Sequence, residues 1–248
     1  KPVLNRLPHV IPAHGERKMR VGLLTGCVMD ILFSSVNEAT IRVLTKNGYE
    51  VVLPPGQTCC GALHVHAGDR EQGKSLARKN MAVFLDAGVD KILINSAGCG
   101  AALKEYPELF RSHPQDHEQA KHFASKVEDI SEFLYNQGFM KPQNSLKKRV
   151  TYHDACHLAH GQGIRHQPRS LLMEIDGLEW VEMPMSDACC GSAGIYNLTH
   201  PVMAEKILEK KMEHVPSEVD WVVMGNPGCM LQMAAGLKKH GHPSRVVH

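Results

Sequence analysis

Short apolar runs alternate with amphipathic stretches along this chain, and the rhythm is laid down twice. Arg20 to Thr25 is a compact apolar run that reads as a buried strand ending at Gly26-Cys27. Residues 35–47 carry Val36, Thr40, Val43 and Leu44 at helical spacing, with Gly48 as the stop. Tyr49 to Leu53 predicts a second strand, closed by Pro54-Pro55. Asp69 suits the N-cap of the next helix, with Gln72 three residues on. Leu76, Val83, Phe84 and Ala87 are the expected inward face of that helix, and Gly88 its end. Lys91 to Asn95 predicts a third strand, which leads into Gly98-Cys99 and a helix from near Ala101.

The second half repeats the order. Arg149 to His153 reads as a strand ending near Cys156, residues 168–176 as a short helix, and Leu178 to Met183 as the next strand. A helix is expected from His200-Pro201, with proline at its usual first position. Asp220 to Met224 is the last expected strand and runs into Gly228-Cys229 and a final helix.

Strands alternating with helices imply βαβ units around mainly parallel sheets. The expected fold class is therefore α/β, with two repeated Rossmann-like domains related by a pseudo-twofold. The first 19 residues hold Pro2, Pro8 and Pro12 and read as an extended arm. Gln137 to Lys148 is polar, with Gly138 and Pro142, so the expected domains run over 20–141 and 142–248.

Composition narrows the function. With 28 basic against 26 acidic side chains in 248 residues, no field for nucleic acid or anionic lipid is evident. No apolar run approaches the roughly 20 residues a bilayer requires, and no signal peptide is visible. The start at Lys1 rather than methionine suggests a fragment or a processed chain. No flavin or nucleotide motif is present, since Gly161-Gln162-Gly163 is too short and follows the wrong element.

The eight cysteines carry the chemistry. Cys27, Cys59-Cys60 and Cys99 are matched by Cys156, Cys189-Cys190 and Cys229, so the spacing is near C-x31-CC-x38-C in both halves. Each pair is followed by glycine, Gly61 or Gly191, and each last cysteine is preceded by one, Gly98 or Gly228. In a reducing compartment such cysteines read as thiols or metal ligands rather than disulfides. All of them follow expected strand ends, the edge where open α/β sheets build sites. Three occupants stay open: a structural zinc, an iron-sulfur cluster, and thiol-disulfide chemistry. Zinc sites usually use pairs spaced C-x2-4-C, whereas adjacent cysteines diverge and suit a cluster more easily.

The Cys-Cys-Gly pattern resembles the cysteine-rich CCG domain of the heterodisulfide reductase family. Thr58-Cys59-Cys60-Gly61-Ala62-Leu63, Ser96-Ala97-Gly98-Cys99-Gly100-Ala101 and Asp187-Ala188-Cys189-Cys190-Gly191-Ser192-Ala193-Gly194 resemble the iron-sulfur subunit of glycolate oxidase, a match extended by Tyr196 to Pro201. The resemblance implies an electron-transfer subunit, with Cys27, Cys59, Cys60 and Cys99 holding one centre and Cys156, Cys189, Cys190 and Cys229 the other. It implies one or two 4Fe-4S clusters, with zinc at one site as the alternative. It also implies flavin-containing oxidase partners, with electrons passing towards quinone or another acceptor. A cytoplasmic location, reaching the inner face of a membrane through partners, goes with it. Two departures stand out. The family ending C-x-x-C has lost its first cysteine, to Ser96 in one half and Asn226 in the other. The ferredoxin-like part with C-x2-C-x2-C-x3-C-P runs is missing from this chain and is expected on a removed segment or a partner.

Other residues are secondary. His153, His157 and His160 surround Cys156, while His64 and His66 follow Cys60. Their expected roles are polar loop positions or hydrogen-bond donors near a centre, with direct ligation by His64 or His157 less favoured because each half already has four thiols. Met203, Met212, Met230 and Met233 are expected to fill core.

Overall fold

Two strands, Met19–Leu23 and Lys148–Tyr152, each lie between parallel neighbours inside a separate sheet. The computed structural model describes residues 1–248 and divides into two units, Lys1–Met140 and Lys141–His248.

In the first unit a 3-10 turn at Val3–Asn5 precedes β1 (Val10–Ile11) and β2 (Met19–Leu23). Helices α1 (Cys27–Leu32) and α2 (Ser34–Lys46) follow, then β3 (Tyr49–Val52), α3 (Ala62–His66), α4 (Arg70–Asp86) and β4 (Lys91–Ile94). The unit closes with α5 (Ala97–Lys104), α6 (Tyr106–Leu109), α7 (Pro114–Ala124), β5 (Val127–Asp129) and α8 (Ile130–Gln137). Sheet order is β1-β3-β2-β4-β5, parallel except for the short antiparallel edge strand β1. Strand β2 lies between β3 and β4, and its Val21 and Leu23 are fully buried, as the unbroken apolar run foretells. Phe84, Phe110, Phe123 and Tyr106 anchor the core beside the sheet, with Tyr106 stacked on Phe123 at 5.5 Å between centroids.

The second unit contains β6 (Lys148–Tyr152), α9 (Cys156–Ala159), α10 (His166–Met173) and β7 (Leu178–Trp180). Then come α11 (Tyr196–Thr199), α12 (Pro201–Met212), β8 (Trp221–Val223), α13 (Pro227–Lys239) and β9 (Arg245–Val247). Its order β7-β6-β8-β9 is parallel throughout and repeats the order β3-β2-β4-β5. Register repeats as well. Leu24 N donates to Leu93 O at 3.0 Å, and at the matching place His153 N donates to Val223 O at 2.9 Å. Both units are therefore α/β with the parallel sheets the alternation foretells.

Several local expectations need correction. Residues 1–19 are extended only in part, because Val3 is fully buried and β1 pairs with β3. In α2 the buried face is Asn37, Thr40, Ile41, Leu44 and Thr45, while Val43 is exposed. In α4 the fully buried face is Gly73, Lys74, Ala77, Asn80, Met81 and Phe84; Val83 and Ala87 pack against the same core as expected but only partly buried, and Leu76 is half-buried. Helix α5 starts at Ala97, four residues before the expected Ala101, which brings Cys99 into its first turn. Strand β7 stops at Trp180 rather than Met183. Met212, Met230 and Met233 fill core, but Met203 is half exposed.

The expected N-cap at Asp69 is present, with its carboxylate accepting from Gln72 N at 3.2 Å. Strand β5 and helix α8 escaped the sequence reading despite a signal. Asp129 and Glu132 form a capping box, in which Asp129 accepts from Ser131 N at 2.8 Å and Glu132 accepts from Asp129 N at 3.3 Å. No helix is long and apolar enough to cross a membrane.

Candidate metal centres

In a sheet of order 2-1-3-4 the connections leave the first and third strands towards opposite sides, opening a crevice at their carboxyl ends. Cys27 opens α1 after β2, the Cys59-Cys60 pair follows β3, and Cys99 lies in the first turn of α5 after β4. The second unit places Cys156 after β6, Cys189-Cys190 after β7, and Cys229 in the first turn of α13 after β8.

All eight predicted cysteines come together as two sets of four, and all are free thiols. In the first unit Cys27 Sγ lies 3.6 Å from Cys59 Sγ, and Cys60 bonds through its side chain to both Cys59 and Cys99. The second set repeats the chain: Cys156 to Cys189, Cys189 to Cys190, Cys190 to Cys229.

The sulfurs differ in charge preference, in the same alternation. The bond from Cys27 holds Cys59 well below the ordinary thiol range, and the bond from Cys60 lowers Cys99. Their donors Cys27 and Cys60 are pushed up by giving those bonds and by burial. In the second unit Cys189 and Cys229 are lowered, while Cys156 and Cys190 are raised. Thiolate is the metal-binding form of cysteine, so each cradle already favours part of the charge a metal requires.

Each adjacent pair reaches one locus because a glycine turns the chain sharply behind it. Gly61 has φ +83° and Gly191 has φ +91°, and both donate their N–H back to the first sulfur of the pair, at 3.5 and 3.3 Å. Space is as tight as the backbone angle is unusual. A Cβ on Gly61 would lie 3.2 Å from Gly73 O, and one on Gly191 only 2.5 Å from Ala204 O.

Buried polar side chains that the sequence reading missed fasten these loops. Asn80 accepts from Thr58 N and donates to Cys59 O, and Tyr106 donates to Cys60 O at 2.9 Å. Asn37 donates to Thr25 O, two residues before Cys27. In the second unit Lys211, 1 % exposed, donates to the Met185 and Ser186 carbonyls at 2.7 and 2.9 Å. Burial lowers its pKa to about 8. Arg169 grips the Asp154 carboxylate with two bonds of 2.7 Å and stacks over Tyr152 and Trp180. Burial pushes Asp154 up, but its bonds from Arg169 and Ser186 together leave it below the usual range. A lysine on the apolar stripe Ala204, Leu208, Lys211 was the available signal for the first of these.

Ser96 and Asn226, each three residues before the last cysteine of its set, face the sulfurs as donors. Asn226 Nδ2 donates to Cys229 Sγ at 3.4 Å, and Ser96 bonds to Cys99. The neighbouring histidines separate clearly. His64 faces Asp69 at 3.6 Å, and His160 faces Asp187. His157 Nδ1 lies 3.6 Å from Cys156 Sγ. Buried His153 enters the second set, its ring nitrogen and the sulfurs of Cys190 and Cys229 lying within 4.8 Å of one another. Sulfur with one imidazole nitrogen is a soft donor set, fitting zinc or iron-sulfur rather than calcium or magnesium.

Twin α/β units, each gathering four cysteines behind a Cys-Cys-Gly turn, define a tandem cysteine-rich protein. The chain belongs to the CCG cysteine-rich domain family, which matches residues 21–104 and again 150–234. It is 42 % identical to the probable glycolate oxidase iron-sulfur subunit of Bacillus subtilis, over 96 % of this chain and 54 % of that one. It is 33 % identical to lactate utilization protein A of Geobacillus thermodenitrificans, over 93 % of this chain and 96 % of that one. It is also 38 % identical to a fumarate reductase (CoM/CoB) subunit of Methanothermobacter marburgensis, over 90 % of this chain and 43 % of that one. The chain thus spans about half of the first and third of these relatives and nearly all of the second.

Proposed function

We propose that this chain is an iron-sulfur electron-transfer unit of a glycolate oxidase-like or lactate-utilising complex, with one centre in each unit. Cys27, Cys59, Cys60 and Cys99 hold one centre, and Cys156, Cys189, Cys190 and Cys229 hold the other. The observation that carries the reading is the gathering of all eight sulfurs into two like sets at the carboxyl ends of parallel strands. The names of the relatives, an iron-sulfur subunit and a lactate utilization protein, point the same way.

A bound iron-sulfur cluster supplies reversible one-electron transfer. The chain's own residues do the holding: Gly61 and Gly191 aim their N–H groups at sulfur, and Ser96 and Asn226 donate to the last cysteine of each set. Removing hydride from a 2-hydroxy acid requires a flavin or like cofactor, which we place on a partner subunit, with electrons leaving towards quinone or another acceptor. A ferredoxin-like domain or chain completes the relay, and the assembly sits in the cytoplasm, reaching the membrane through those partners.

A second reading, a structural zinc module, is favoured by one distance. Two thiolates on a tetrahedral zinc with Zn–S of about 2.3 Å stand about 3.8 Å apart, close to the 3.6 Å between Cys27 and Cys59. Metal and sulfide analysis after anaerobic reconstitution, with visible absorption and EPR, separates the two. The electron-transfer reading expects iron with acid-labile sulfide and loss of one centre in each of Cys60→Ser and Cys190→Ser. Stoichiometric zinc without iron would overturn it.

A further inference from the structure

The two cradles repeat each other in sulfur but not in nitrogen. The residue after β2 is Leu24, fully buried, and the residue at the same place after β6 is His153, also buried. Their backbones are equivalent, each N–H closing onto the neighbouring strand. Only the side chains diverge.

His153 Nδ1 lies 3.1 Å from Ser186 O. A carbonyl oxygen can only accept, so Nδ1 carries the hydrogen, and in the neutral ring Nε2 then keeps its lone pair. That Nε2 is buried, has no oxygen or nitrogen partner, and faces the Cys229 sulfur. A ring nitrogen of His153 and the Cys190 and Cys229 sulfurs all lie within 4.8 Å of one another. A lone pair beside the Cys229 thiolate is repelled by it, and a cation between the two turns the repulsion into ligation. Metal-binding histidines characteristically give their other N–H to a backbone carbonyl or carboxylate, the arrangement seen at Ser186. That carbonyl is itself fixed by Asp154 N at 3.0 Å and by Lys211 Nζ at 2.9 Å, so the ring is held in place before any metal arrives.

From this geometry we infer that His153 is a nitrogen ligand of the centre in the second unit, which is thus a mixed cysteine-histidine site, whereas the first unit's centre is held by sulfur alone. The inference rests on the metal-centre reading above. It gives the two centres different donor sets, four sulfurs in the first unit and four sulfurs with one imidazole nitrogen in the second.

The test uses the full chain carrying Cys59→Ser and Cys60→Ser, so that only the second centre loads, with histidine labelled by 15N. Pulsed EPR of the reduced, reconstituted protein is expected to show the hyperfine coupling of a directly bound nitrogen. In His153→Leu, which copies the first unit, that coupling disappears while iron still binds. Should His153→Leu fail to fold by circular dichroism, His153→Gln is read in the same way. Couplings of hydrogen-bond size only, or a direct coupling that survives the substitution, overturn the inference. If metal analysis returns zinc, the electron-transfer reading fails by itself and the ligand is read at the zinc X-ray edge. There His153 is expected to add a nitrogen at about 2.0–2.1 Å that His153→Leu removes. An edge unchanged by the substitution overturns the ligand assignment alone.

Discussion

Asn226 points its Nδ2–H at the sulfur of Cys229, three residues on, across 3.4 Å. It is thus a hydrogen-bond donor to a candidate ligand, and Ser96 plays the matching part towards Cys99. Donors to sulfur stabilise the reduced, more negative state of an iron-sulfur centre. Asn226→Ala should therefore lower the midpoint potential of the second centre. Taking one such bond as ~1 kcal/mol, the drop is about 40 mV for one electron. Redox titration followed by EPR reads the shift, and an unchanged potential would show that the contact does not survive metal loading.

The Cys-Cys-Gly turns should tolerate no side chain at the glycine. Gly191→Ala must place a Cβ 2.5 Å from Ala204 O with the backbone at φ +91°, and Gly61→Ala a Cβ 3.2 Å from Gly73 O. We expect Gly191→Ala to cost about 3 kcal/mol and Gly61→Ala about 1–2 kcal/mol, from left-handed strain plus overpacking. Urea unfolding of the two variants measures both, and equal costs would contradict the ranking.

Arg169 compensates a carboxylate that is almost out of reach of water, since Asp154 is 3 % exposed. Arg169→Met should destabilise the protein by about 3 kcal/mol at pH 7, by stranding that charge. The sign of its pH dependence follows from the pair. Asp154 is depressed in the folded protein, so its contribution is present above the ordinary carboxylate value and lost as pH falls below it. Without Arg169 the buried carboxyl takes up a proton more readily, and the deficit should shrink from pH 7 towards pH 4. Denaturation midpoints across that range decide the matter.

Lys211 gives the same sign in a higher pH window. Its folded pKa of about 8 lies below the ordinary 10.5. Between those values the unfolded chain binds more protons than the folded one, so this group makes stability rise with pH from about 8 to 10.5. Lys211→Met should abolish that rise. It should also cost about 1–3 kcal/mol at pH 7, because two buried carbonyls lose a donor. A wild-type-like slope in the variant would place the titration elsewhere.

The repeated α/β plan and the eight sulfurs are legible along the chain. Period and strand-end position are local properties: the run Val21–Leu23 reads as buried whatever surrounds it, and Cys27 follows it by covalent connection. The adjacent cysteines with their glycine likewise announce a turn, because positive φ is a property of the residue itself. Asp69 was found as a cap for the same reason, its partner Gln72 being three residues away.

Which polar residues stand at the centres follows from long-range packing. Asn80 and Tyr106 secure the Cys59 and Cys60 carbonyls from 21 and 46 residues away, and Lys211 reaches Ser186 across 25. Among the histidines near Cys156, spacing could not distinguish His153 from His160. The ring that ends a parallel strand beside Cys190 and Cys229 is turned inward, while the one beyond the short helix turns to Asp187. Which way a side chain points depends on the elements packed around it. The backbone places the sulfurs; the long-range packing chooses what stands beside them.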